Sequence, residues 1–134
     1  VLRSLRNQHA EALPAIAGAL ALWDAECAGD APDLVALRWR SYTGVVAAEA
    51  RLATGDAAEA VRLGEGVVAD ARRSGDPRAV AFALTRSAFV LAAVGRPAPA
   101  AAMLEEAVPL WEAEGDVFFL ALAQQTRAEL ALAA

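Results

Sequence analysis

Residues 82 to 101 read Phe82-Ala83-Leu84-Thr85-Arg86-Ser87-Ala88-Phe89-Val90-Leu91-Ala92-Ala93-Val94-Gly95-Arg96-Pro97-Ala98-Pro99-Ala100-Ala101. An Ala-rich, mostly apolar block of helical length runs into Gly95, and Pro97 and Pro99 open a second block just beyond it. Glycine takes the left-handed conformation that stops a helix without steric cost. Proline in a first turn loses nothing, because the missing N–H has no partner there. The stretch therefore predicts a helix, a tight turn and a second helix.

The same punctuation recurs along the chain as Gly29-Asp30, Gly55-Asp56, Gly75-Asp76 and Gly115-Asp116. Gly55 and Gly95 lie 40 residues apart, as do Gly75 and Gly115, so two interleaved classes of turn share one period. In each Gly-Asp pair the glycine can end one helix and the aspartate can cap the next. The text between turns echoes itself too. Ala58-Glu59-Ala60-Val61 matches Ala10-Glu11-Ala12-Leu13 in kind, Leu22-Trp23-Asp24-Ala25-Glu26 matches Leu110-Trp111-Glu112-Ala113-Glu114, and Thr85-Arg86-Ser87 matches Thr126-Arg127-Ala128. The expected helices span about 8 to 28, 32 to 54, 57 to 74, 77 to 94, 97 to 114 and 117 to 134, with residues 1 to 6 as the last turn of an earlier helix. Pro32 falls at a first turn, whereas Pro14 and Pro109 fall inside helices and should kink them.

Composition agrees with an all-α fold. The chain has 134 residues, 57% of them hydrophobic, which is ample for a continuous core. Alanine, the best helix former and a poor strand residue, makes up roughly a quarter of it. A hairpin cannot bury its apolar stripe alone, so such hairpins must stack. Ser41, Gly44 and Ala48 form a small-residue stripe that would let a neighbouring helix approach closely.

The quoted stretch resembles the core of a tetratricopeptide repeat, whose pattern is carried here by Leu84, Ala88, Leu91, Gly95, Ala100 and, later in the second helix, Ala107. Ala48, Gly55, Asp56 and Ala60 match in the preceding unit, while Gly44 and Arg51 stand where large apolar residues are usual. The 40-residue period exceeds the 34 of the standard repeat. Longer, degenerate repeats of this kind are familiar in large bacterial regulators of the LuxR and MalT types, including antibiotic-pathway regulators of actinobacteria. The resemblance implies antiparallel hairpins stacked as a right-handed superhelix, with the first helix of each hairpin lining a concave groove. By that alignment Phe82, Thr85, Phe89 and Ala92 face the groove, as do Tyr42, Val45, Glu49 and Leu52.

Nothing in the sequence assembles a catalytic, metal or cofactor site. Gly64-Glu65-Gly66-Val67-Val68-Ala69 fits the dinucleotide fingerprint in letters only, since that motif needs a preceding strand and here a helix precedes. A phosphate-binding P-loop needs a lysine, and all twelve basic residues are arginines. His9 is the one histidine and Cys27 the one cysteine, so no ligand set for zinc exists and no internal disulfide can form. Cys27 reads as a half-buried helix residue and His9 as an exposed turn residue. Glu105 and Glu106, and Glu112 with Glu114, diverge around a helix and read as a solvated face. Glu59, Arg62 and Glu65, like Asp70 and Arg73, recur at i,i+3 spacing and give weak surface pairs. Trp23, Trp39 and Trp111 are placed to plug junctions between hairpins, with exposure on a groove as the other reading.

These observations predict a non-catalytic interaction, scaffolding or sensor segment, and the resemblance implies that it belongs to a larger cytoplasmic bacterial transcriptional regulator. Its partner is a protein or peptide segment, or another domain of the same chain, and no cofactor is needed. The second reading is a receptor for a small molecule or signalling peptide that gates an attached DNA-binding or ATPase domain. Leu13 to Trp23 is too short to cross a bilayer, and Val1-Leu2-Arg3-Ser4 does not begin a signal peptide, so no membrane partner is expected. The absence of an initiator Met suggests a piece of a longer chain. The last helix, with Phe118, Phe119, Leu120, Leu122 and Leu130 and only Arg127 and Glu129 as charges, makes a poor polar cap and is expected to self-associate or fray. A net charge of −5 disfavours the phosphate backbone. Fluorescence anisotropy with duplex DNA at moderate salt should therefore show no binding, and a salt-sensitive isotherm would contradict this.

Overall fold

The five punctuating glycines all take positive φ, and the helices stop and start around them. The computed structural model describes residues 2–133, with side chains described for residues 7–133. Six helices follow one another: α1 (Leu2–Glu26), α2 (Leu34–Ala53), α3 (Ala57–Ser74), α4 (Pro77–Ala93), α5 (Pro97–Glu114) and α6 (Val117–Ala133). The described residues contain no strand, and the protein is an all-α array of helix hairpins. No described helix is long and apolar enough to cross a membrane.

The caps explain the boundaries. Gly75 and Gly115, with φ of 72° and 69°, terminate α3 and α5 in the left-handed region. Asp56, Asp76 and Asp116 accept from the backbone N–H of Glu59, Arg78 and Phe119, at 3.2, 3.0 and 3.1 Å. The expected cap at Asp30 does not form. Pro32 disfavours helical geometry at Ala31, so α2 begins two residues later than expected and Asp33 caps it through Val35 and Ala36 at 2.8 and 3.0 Å. Pro97 takes the first position of α5, where Arg96 supplies no side-chain cap.

Two further expectations change. No Gly or Pro interrupts the chain before Pro14, so residues 2 to 6 continue into α1 instead of ending an earlier helix; Val1 and Ala134 lie outside the described residues. Helices α1 and α5 are continuous through Pro14 and Pro109, both of which point to solvent, where water can satisfy the carbonyl each proline frees.

Each helix packs on the next in sequence. In addition α2 packs on α4 and α4 on α6, whereas α1, α3 and α5 make no close backbone approach to one another among the described residues. Two layers result. The inner layer is α2, α4 and α6; the outer is α1, α3 and α5. Because the inner helices touch and the outer ones splay, the stack must curve towards the inner layer.

Helix α4 is the centre of the core. Its Ala79, Ala81, Ala83, Leu84 and Ala88 are buried against Val67 and Ala71 of α3, Leu104 and Trp111 of α5, and Ala123 of α6. Full burial of a leucine such as Leu84 or Leu104 stabilises by about 1.5–3 kcal/mol. A smaller cluster joins α1 to α2 through Cys27, Ala36, Leu37 and Trp23.

The small-residue stripe sets the tightest approach. Ser41, Gly44 and Ala48 are all buried, and Ser41 Oγ donates to the Val67 carbonyl of α3 at 3.0 Å. On the other flank of α3, Ser87 Oγ of α4 donates to the Gly64 carbonyl at 3.2 Å. A Cβ on Gly44 would lie 2.6 Å from Val67 Cγ2, so any larger residue there would force the buried Val67 side chain or the helix carrying it to shift. Gly66, also inside α3, has nothing within 4 Å of its Cβ position. Replacing a helix-interior glycine by alanine returns about 1 kcal/mol of propensity. Overpacking a tight contact costs about 1–3 kcal/mol. Urea unfolding should show Gly66→Ala stabilised by about 1 kcal/mol and Gly44→Ala destabilised by a similar amount. Equal gains at both sites would show that α2 and α3 are not in close contact.

Candidate interaction face

Aromatic rings cross the inner layer from one end to the other. Trp39 meets Tyr42 edge-on at a centroid distance of 5.5 Å, Tyr42 meets Phe82 at 5.3 Å, and Phe82 meets Phe119 at 5.6 Å. Phe119 then touches Phe118 edge-on at 5.2 Å and stacks on Trp111 of α5 at 4.7 Å. Edge-to-face pairs of this kind add about 0.5–1.5 kcal/mol beyond their area. Tyr42, Phe82 and Phe119 are half-buried, while Trp39 and Phe118 are exposed. Burial, helped by the charge of Asp76 and opposed by Arg38 and Arg78, raises the Tyr42 phenol above its ordinary value, so it remains a neutral donor.

A ladder of ion pairs runs beside the rings. Arg38 of α2 pairs with Asp76 at the start of α4 at 3.5 Å, and Arg78 of α4 pairs with Asp116 at the start of α6 at 2.8 Å. Both partners advance by the same 40-residue period. Each aspartate also caps its own helix. The Phe119 N–H first, and Arg78 after it, hold the Asp116 carboxyl below the usual range. Arg78 further lies over the Trp111 ring at 5.5 Å.

Further along the inner helices the face turns polar. Arg86 of α4 forms an ion pair with Glu49 of α2, its Nε donating at 2.6 Å, and its guanidinium lies 5.5 Å from the Phe89 ring centre. Leu52 and Ala92 are half-buried nearby in sequence on the same helices.

Of the eight expected groove residues, Tyr42, Glu49, Leu52, Phe82, Phe89 and Ala92 keep partial exposure on α2 and α4. Val45 and Thr85 do not: they are 5% and 0% exposed and belong to the core. The reason for Thr85 is Trp111. Its indole Nε1 donates to Thr85 Oγ1 at 2.9 Å, and that hydroxyl donates in turn to the Ala81 carbonyl at 2.8 Å. A buried indole N–H needs an acceptor, and Thr85 supplies it. Val45 faces α3 and α4 within the same apolar cluster. Arg38, Arg78, Arg86 and Phe119 belong to the face although the repeat alignment did not select them. The equal spacing of Arg38 with Arg78 and of Asp76 with Asp116 was the available signal.

The three tryptophans have different surroundings. Trp111 is wholly buried, Trp23 is half-buried with its Nε1 donating to Thr43 at 3.1 Å, and Trp39 remains 45% exposed.

The other candidate groups serve packing and charge pairing. Arg40 donates to Asp70 at 2.7 and 2.8 Å and to Asp24 at 3.1 Å, tying α1, α2 and α3 together and raising its own pKa. Burial pushes the neighbouring Cys27 thiol up, away from nucleophilic character. Arg72 and Glu106 span the gap between α3 and α5 at 2.6 and 2.9 Å. Gly64-Glu65-Gly66 lies wholly inside α3. His9, expected in a turn, is half-buried inside α1 because that helix begins earlier.

The surface recesses are shallow or small. One, about 370 Å³ and wide open, lies between α1 and α2 and is lined by Ala15, Ile16, Ala19, Trp39, Tyr42 and Val46. Another, between α3, α4 and α5, holds about 90 Å³ beside Val61, Gly64, Val90 and Met103. Comparison with protein-family models, with curated proteins and with solved structures gives no match for this chain.

The Trp111–Thr85 contact yields a direct test. Thr85→Val keeps the shape and removes the acceptor, stranding a buried indole N–H at a cost of about 1–3 kcal/mol. Thr85→Ser keeps the hydroxyl and loses one methyl, about 1 kcal/mol. Urea midpoints should rank wild type above Ser and Ser above Val, and a Val variant as stable as wild type would remove this bond from the account.

Proposed function

We propose that the chain is a non-catalytic interaction segment that receives a peptide or helix, from a partner protein or from another part of its own chain, along the inner face. The observation that supports this most is the aromatic line from Trp39 through Tyr42 and Phe82 to Phe119 and Phe118, which crosses three helices on the layer towards which the stack curves. Rings half-buried in a curved face give apolar area at little entropic cost, and binding energy concentrates on such anchors. The Glu49–Arg86 pair and Phe89 add polar selectivity at the other end of the same helices. A peptide laid across the face would meet apolar contacts first and a charge pair next.

The tetratricopeptide resemblance supports the same reading and suggests the setting, a sensor or scaffolding part of a cytoplasmic bacterial transcriptional regulator of the LuxR or MalT type. The second reading, a small-molecule receptor, would use the recess of about 320 Å³ beside Arg40, Gly66 and Asp70 or the α1–α2 recess. The volume of the latter, about 370 Å³, falls in the range of ligand sites, but its open, shallow form gives little of the enclosure they provide.

Selection of peptides from a random display library against the folded chain tests the proposal. The selected peptides should carry large apolar residues at helical spacing. Phe89→Ala should weaken them about tenfold or more, on the order of 1.4 kcal/mol, while Arg62→Ala on the exposed outer helix should leave affinity unchanged. Peptides insensitive to Phe89 but sensitive to Arg62 would move the site to the outer layer.

A further inference from the structure

The outer helices splay, and between α1 and α3 the splay leaves a recess of about 320 Å³ that reaches down to α2. Leu20 and Asp24 of α1, Arg40 of α2, and Leu63, Gly66 and Asp70 of α3 line it.

The 40-residue period separates what the stack needs here from what it does not. One period after Arg40 and Asp70 stand Val80 and Leu110, both half-buried against the main core. At the equivalent positions of the next unit an apolar pair suffices, and replacing a largely buried ion pair by apolar residues is often neutral or stabilising. One period after Gly66 stands Glu106, which bridges the α3–α5 gap to Arg72. Gly66 removes that side chain and leaves the α1–α3 gap open. A Cβ at Gly66 would meet nothing within 4 Å, so no packing contact accounts for a glycine that weakens its own helix.

The charged groups of the recess also keep unused capacity. Arg40, with a side chain 20% exposed, gives Nε and one N–H of Nη2 to Asp70 and one N–H of Nη1 to Asp24. A guanidinium carries five N–H donors, so one on each terminal nitrogen has no acceptor among the described residues. Asp24, 65% exposed, accepts from Arg40 through Oδ1, and its Oδ2 has no partner among them. Two free donors and a free carboxylate oxygen thus stand on side chains already bonded to each other, in a recess walled on either side by Leu20 and Leu63.

We propose that this recess binds a free α-amino acid with an apolar side chain. The ligand carboxylate takes the two unused N–H groups of Arg40, its ammonium takes Asp24 Oδ2, and its side chain lies on Leu20 and Leu63 over the backbone of Gly66. Carboxylate and ammonium sit on one carbon in such a ligand, so a bonded arginine and aspartate can meet both at once. Arg40 and Arg62 balance Asp24 and Asp70 around the recess, which favours a zwitterion over a simple anion. The proposal rests on the small-molecule reading and shares no residue with the inner face, so peptide binding there is independent of it.

Amide chemical shifts of the folded, isotope-labelled chain, titrated with L-leucine and L-phenylalanine, test it. The amides of Leu63 and Gly66 should move saturably. N-acetyl-L-leucine and L-leucinamide, each lacking one charge, should bind about tenfold more weakly, since each loses a charge-assisted hydrogen bond. Gly66→Leu puts a good helix former into open space, so it should keep or raise the urea midpoint while weakening leucine by about tenfold or more. Asp24→Asn, at an exposed site, should erase the difference between leucine and N-acetyl-leucine. Equal binding of those two to the wild type overturns the proposal and leaves a small-molecule recess standing. Unchanged leucine affinity in Gly66→Leu places the ligand elsewhere and overturns it too. Absence of any shift with leucine, phenylalanine and a mixed fragment set alike removes the small-molecule reading along with it.

Discussion

The hydrogen bond from Trp111 to Thr85 fixes the position of the largest buried side chain and, with it, three helices. Trp111 belongs to α5, its acceptor to α4, and the ring stacked on it, Phe119, to α6. An indole can be buried whole only if its one polar atom is satisfied, so Thr85 must face inward. That requirement sets the rotation of α4 about its axis. With α4 so turned, Phe82 falls between Tyr42 and Phe119, and Arg78 reaches Asp116. The character of the inner face follows from a bond beneath it.

The two seams of the stack, one between the layers and one within the inner layer, work by different physics. Along both flanks of α3 the seam is steric: Gly44 lets α2 close on it, and the hydroxyls of Ser41 from α2 and Ser87 from α4 each donate to an α3 carbonyl. Between successive inner helices the seam is electrostatic and aromatic, with partly exposed ion pairs whose individual worth is small. The first sets how closely the helices approach. The second supplies register, because an arginine can meet the next helix's aspartate only when the period is kept.

The fold was legible in the sequence because its determinants are local. Gly75 and Gly115 need left-handed geometry, Asp56, Asp76 and Asp116 need only the backbone beside them, and the 40-residue period follows from their positions. The start of α2 was misplaced for a local reason as well, the effect of Pro32 on the residue before it. The candidate face was less legible. Tyr42, Glu49, Leu52, Phe82 and Phe89 were placed on the right helices, but Val45 and Thr85 turned inward, because which residue of a helix faces out depends on a partner distant in sequence. Nothing near Thr85 announces that a tryptophan 26 residues away will claim its hydroxyl.

Asp76 and Asp116 each serve two masters: the helix they begin and the arginine of the inner helix before it. Melting one inner helix therefore strips its neighbour of a counter-ion, and losing that neighbour loosens the cap. Free energy is shared across the boundary between units instead of being held within each. Added to the apolar cluster that runs from Val45 of α2 to Ala123 of α6, this sharing resists unravelling one hairpin at a time, and loss of structure on heating or under tension should be a single concerted event rather than a staircase.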